Sequence, residues 1–157
     1  LNENYATDAG PWDDTVPGAS TWTFDQAFYG SRPAGEECVF YAFHSVEGYS
    51  KIGSYVGNGD PDGPFIYLGF SPEWYMTKRY DSTGDWRIRD MAREPFNPQD
   101  APLSANTSAA ENDGDNDWDS VSNGLKLRGS GTGENASGGD YLYIAFAESP
   151  QKYSNAR

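Results

Sequence analysis

The groups in this chain best able to do chemistry are oxygen donors. The densest run is Asp113-Gly114-Asp115-Asn116-Asp117-Trp118-Asp119. Alternating Asp at short spacing, with Gly and Asn between, is one way a loop wraps oxygen ligands around Ca2+. Counted from Asp113, the run lacks a Gly at the sixth place and a Glu at the twelfth, so it is not an EF-hand. Asp113, Asp115, Asp117 and Asp119 are the candidate Ca2+ ligands, and a solvated acidic loop is the plain alternative. Covalent catalysis finds little here. His44 is the only His, and Ser45 beside it would point to the opposite face of a strand, which rules out the mutual reach that a Ser–His–Asp arrangement needs. One His and one Cys make a poor zinc set. Paired carboxylates can hydrolyse a glycosidic bond. Glu111-Asn112-Asp113, however, sits in a turn-rich stretch rather than at alternate positions of a buried strand. No enzyme is expected.

The acids outnumber the bases, 24 to 11, for a net charge of −13. That balance disfavours nucleic acid and anionic membrane as partners, since both are polyanions. Five of the 11 basic residues are Lys78, Arg79, Arg87, Arg89 and Arg93. They read as the solvated face of a hairpin, or as a site for an acidic sugar or a neighbouring acidic chain. Leu, Ile, Val and Phe make only 23 residues, but the 24 aromatics supply the area for a small core. Cys38, the one Cys, excludes an intrachain disulfide. No apolar run is long enough to span a bilayer.

The element around which these residues must be arranged is Asp140–Phe146. Leu142, Ile144 and Phe146 alternate with Tyr141, Tyr143 and Ala145, the period of a strand. The Leu142 face is the expected core, and Gly138-Gly139 is turn punctuation before it. Similar alternation predicts strands over Ile52–Gly57, Phe65–Phe70, Gly124–Leu127 and a hairpin over 73–90 that turns at Asp81–Asp85. The stretch 94–120 reads as irregular. No segment holds a helical period. The expected fold is an all-β antiparallel sandwich with almost no helix.

Glu37–Phe43 matches Asp140–Phe146, placing Val39, Tyr41 and Phe43 where Leu142, Ile144 and Phe146 stand. Upstream, Trp12–Val16 answers Trp118–Val121, Thr21–Phe24 answers Gly124–Leu127, and Leu1–Asn4 answers Leu103–Asn106. The collinear series predicts residues 1–51 as the C-terminal half of one repeat copy and 52–157 as a complete copy, within a longer polypeptide.

The ordered series Gly53–Gly59, Leu68–Trp74, Arg89–Arg93, Leu103–Glu111, Ser122–Leu125 and Ser137–Phe146 resembles a domain of unknown function. That domain recurs, often in tandem, in virion-associated and tail-fibre-like proteins of tailed bacteriophages. The resemblance implies a β-sandwich of the jelly-roll or concanavalin-like kind, used as a non-enzymatic structural or adhesive module on a virion surface and assembled with other subunits in the trimeric arrangement common to phage fibres. A host-surface glycan is the expected ligand; a purely structural spacer or decoration role and a glycan hydrolase are the alternatives. Ligand contacts are expected from loops at the sandwich ends, with Asp81, Asp85 and Asn135 as candidates and Trp118 as the ring most suited to stack on a sugar. The competing assignment makes Trp118, matched by Trp12, a core residue.

Overall fold

A computed structural model describes residues 41–111 and 117–150. The chain divides into two units, 7–42 and 1–6 together with 43–157, and every named element lies in the second. In order these are β1 (Ser50–Val56), β2 (Phe65–Tyr67), β3 (Trp74–Arg79), β4 (Trp86–Asp90), β5 (Leu103–Ser104), β6 (Trp118–Val121), β7 (Gly124–Leu127), the single-turn helix α1 (Thr132–Asn135) and β8 (Asp140–Phe146). The strands form two antiparallel sheets, β1-β8-β3-β4-β5 and β2-β7-β6. Their inner faces share one apolar cluster, so the protein is all-β and sandwich-like.

Local chemistry explains the pairings. β6 and β7 meet through Ser122-Asn123-Gly124, with Val121 opposite Gly124. The two-residue turn is Ser122-Asn123, and turns favour both residue types because their side chains hydrogen-bond the local backbone and Asn tolerates the left-handed conformation. Gly124, the first residue of β7, has no room for a side chain. A Cβ there would stand 2.2 Å from the Ile66 carbonyl oxygen of β2. β3 and β4 form the expected hairpin, with Lys78 opposite Trp86. The stretch read as irregular contains two short strands, β5 and β6. Their few residues give alternation too little length to declare itself.

The core corrects the expected face of β8. Tyr141 and Ala145 are fully buried and Tyr143 nearly so, while Leu142 is 40% exposed. Ile144 and Phe146 are only partly buried. Phe43 and Tyr41 are exposed, and Val39 lies outside the described residues. Period two defines two faces and does not say which goes in. Here Tyr141 goes in where its hydroxyl finds partners. Tyr141 Oη donates to the Thr132 carbonyl and accepts from the Ala136 amide, both at 2.8 Å. Tyr55 stacks on Tyr141 at 4.9 Å and meets Trp118 edge-on at 5.8 Å. The other proposed repeat positions, Leu1–Asn4, Trp12–Val16, Thr21–Phe24 and 37–40, lie outside the described residues.

Candidate functional site

The most concentrated chemistry in the described residues is buried. Arg89, on the inner face of β4, makes a two-pronged ion pair with Glu134 of α1, both contacts at 2.8 Å. The two side chains are 0% and 1% exposed. Thr77 of β3 donates its hydroxyl to Glu134 Oε1 at 2.6 Å. Tyr55 of β1 donates to the Glu134 carbonyl at 2.9 Å. The Arg89 guanidinium lies 5.8 Å from the Trp118 ring centroid. Next to this group, Gln99 Oε1 accepts from Tyr75 Oη and Ser120 Oγ, at 2.9 and 2.7 Å.

Electrostatics keep the group in one protonation pattern. Burial favours loss of the Arg89 proton, but the Glu134 carboxylate outweighs it and holds Arg89 above its ordinary value. Burial pushes the Tyr55 hydroxyl well above its usual range, with the Glu134 charge adding to it. Tyr75 is raised by burial as well. Both tyrosines therefore remain neutral donors. A pair so enclosed presents nothing to a ligand. Its chemical effect is to fix α1, and with it the Gly-rich connection between β7 and β8. Arg89 thus corrects the reading of this hairpin face as solvated: the acid it meets belongs to its own chain.

Asn135, the next residue along α1, holds the outside of the same connection. Its Oδ1 accepts from the Asn58 amide at 2.8 Å. Its Nδ2 is shared among Asn58 Oδ1, the Asp60 carbonyl and the Gly129 carbonyl. Gly57 lets the two connections touch, since a Cβ there would lie 2.3 Å from the Ala136 carbonyl oxygen. Within the β1–β2 connection, the Asp60 amide donates to Asn58 Oδ1 and the Asp62 amide to Asp60 Oδ1. Asp62 pairs with Lys126 at 2.6 Å, and that hydrogen bond lowers its carboxyl below the ordinary value. Asn135→Ala removes the Asn135 side chain's own contacts with Asn58, Asp60 and Gly129 from a fully buried site. It is expected to destabilise the fold by about 1–3 kcal/mol, read from urea unfolding, and Asn135→Asp should be no milder because its second oxygen would face two carbonyls.

Strand register gathers the loops. Val56 pairs with Asp140, Arg79 with Tyr141, and Lys78 with Trp86. The Leu127 amide bonds the Pro64 carbonyl. The β1–β2, β3–β4 and β7–β8 connections therefore share one end of the sandwich. Asp81 sits there, exposed and paired with Arg79 through two hydrogen bonds, at 2.7 and 3.1 Å. The Arg79 hydrogen bond holds its carboxyl below the usual value. Asp85 accepts from Asn106 Nδ2 at 3.0 Å and lies 3.5 Å from Arg87.

The other candidates fare differently. Trp118 is 0% exposed. A ring enclosed by Tyr55, Tyr75 and Arg89 has no face for a sugar, so the core assignment is the arrangement the structure displays. Asn135 is likewise fully buried, its amide committed to backbone and side-chain partners. Asp119 pairs with Arg128 at 2.6 Å, and the Asp117 carbonyl accepts from the Arg128 amide. Asp113 and Asp115 lie outside the described residues. Among the described residues no three His, Cys, Asp or Glu gather as a metal set. Glu134, Thr77 and Gln99 drew no notice in the sequence. The one available signal was a lone Glu inside the Gly-rich stretch 129–139.

No curated protein and no solved structure matches this chain. One family model, described as Domain of unknown function (DUF7483), matches residues 1–150. That single match extends to both sides of the 51/52 boundary expected between repeat copies. With nearly its whole length covered, the chain belongs to the DUF7483 family.

Proposed function

We infer that the chain is a non-enzymatic structural and adhesive module of a bacteriophage fibre or other virion appendage, assembled with further subunits and touching a host-surface glycan. The observation that supports this reading is the convergence of three connections on one end of a stiff sandwich. Variable loops on a fixed scaffold are a recurrent way to present a binding surface. Asp81 and its turn lie on that end, and the buried Arg89–Glu134 pair anchors the connection beside it. A structural spacer role is the second reading, favoured by the amount of apolar side chain on the outside of the five-stranded sheet. The test is retention of the purified chain on an array of bacterial surface polysaccharides. An Asp81→Ala, Thr83→Ala variant should lose binding by about 10-fold or more, with an unchanged melting temperature. Retention of no polysaccharide by the wild-type chain would leave the spacer role, and release of reducing ends from any of them would replace both readings with a hydrolase.

A further inference from the structure

The outer face of the three-stranded sheet carries its residues in two rows. The register sets Phe65, Lys126 and Asp119 side by side in one row, and Tyr67, Gly124 and Val121 in the other. Both aromatic rings belong to β2, and Phe65 and Tyr67 are 48% and 57% exposed. An antiparallel sheet with one free face normally turns polar residues outward. The two rings lean the same way along the strand, each towards bare backbone. A Cβ on Gly124 would stand 3.0 Å from Phe65 Cζ, and one on Gly69 would stand 3.6 Å from Tyr67 Oη. The two glycines leave room for the rings to lean over the sheet. Among the described residues neither ring stacks on another aromatic.

We propose that this face is a platform for an uncharged pyranose chain, an inference that rests on the glycan reading given above and extends it beyond the loops. Ring chemistry is the first argument. The face of an aromatic ring is the negative pole of its quadrupole, and the apolar face of a pyranose presents weakly positive C–H groups. Two rings two residues apart on one strand lie ~7 Å apart, so a single glycan chain can touch both. The rim is the second argument. Lys126 pairs with Asp62 and Arg128 with Asp119, both at 2.6 Å, and the Asp62 side chain is 83% exposed. Lys51 donates to the Tyr67 carbonyl at 2.9 Å and stands 5.2 Å from the Tyr67 ring centroid. These groups offer donors and acceptors to sugar hydroxyls with little net charge, and the −13 of the whole chain repels an anionic polymer. Area is the third argument. Three strands at ~4.8 Å, read over two outward positions at ~7 Å, give a face of roughly 200 Å2 in plan. A protein partner needs about 500 Å2 or more on each side. An aromatic lining with a few placed polar groups is instead the make-up of a small-ligand site. Asp62 lies in the β1–β2 connection, so the platform begins where the loop end stops.

Affinity electrophoresis of the whole 157-residue chain tests it, in native gels containing dextran, mannan or the uncharged members of the bacterial polysaccharide array. The wild-type chain should be retarded by at least one of them. Tyr67→Ala should raise that Kd by ~10-fold or more, with unchanged circular dichroism. Tyr67→Phe, which keeps the ring, should stay within about 3-fold of wild type. Phe65→Leu still covers Gly124 but has no ring face, and it should behave as Tyr67→Ala does. Wild-type affinity in Tyr67→Ala or Phe65→Leu overturns the platform; loss of retention by Asp81→Ala, Thr83→Ala in the same gels would then leave the loop-end reading standing alone. Retention lost in the ring variants and kept in the loop variant supports the platform and moves the contacts off the loops. A wild-type chain retarded by no polysaccharide overturns the platform and the glycan reading together.

Discussion

Glu134→Ala is expected to destabilise the fold by about 3–5 kcal/mol, the cost of leaving one member of a buried ion pair uncompensated. The Arg89 guanidinium would remain at 0% exposure with its carboxylate partner gone, and Thr77 Oγ1 would lose its acceptor too. The comparison that separates charge from packing is a double variant. Arg89→Met with Glu134→Leu replaces both charges by apolar groups of similar volume, and such exchanges run from neutral to stabilising by 1–4 kcal/mol. Urea unfolding of the three proteins measures both effects. A Glu134→Ala loss below about 1 kcal/mol would mean that water reaches Arg89, and would remove the pair from its place as anchor of α1.

Trp118→Ala carries the second large effect, about 3–5 kcal/mol for emptying a buried aromatic site. Its ring meets Tyr55, Tyr75 and Arg89, at 5.8, 5.5 and 5.8 Å. Those three residues come from the five-stranded sheet and Trp118 from the other, so the ring joins the two layers. Trp118→Phe should recover part of the loss by filling some of the space. Equilibrium unfolding gives the numbers. A Trp118→Ala protein with wild-type stability and reduced polysaccharide retention would return the residue to a ligand role, contrary to its enclosure.

Strand positions were legible in the residues because alternation survives without tertiary context. Tyr141–Phe146 alternates cleanly, and Trp74–Asp90 alternates on both sides of an Asp-, Ser- and Gly-containing turn. The direction of the faces was not legible. Leu142, Ile144 and Phe146 are apolar, and the row of Tyr141, Tyr143 and Ala145 offers large aromatic area of its own. Choosing between them depends on where a tyrosine hydroxyl finds an acceptor, and Tyr141 finds its own at the first residue of α1, nine residues upstream. The buried ion pair was hidden for a different reason. Arg89 and Glu134 are 45 residues apart, and each stands among neighbours that look solvated. Asn135 shows the same ambiguity. A polar residue in a Gly-rich loop reads as a ligand contact, but here its amide cross-links the loops.

Glu134 and Asn135 are consecutive, yet one side chain enters the sandwich core and the other grips the loops at its end. Opening that end by breaking the Asn135 contacts would strain the turn that seats Glu134, and withdrawing Glu134 would expose Arg89. Local fluctuation is thereby tied to global unfolding, and the loop end belongs to the same cooperative unit as the central strands. Amides of 129–139 then exchange with solvent at rates near those of β8 rather than those of free loops. Any molecule meeting this end meets a surface already ordered, so little conformational entropy is lost on contact.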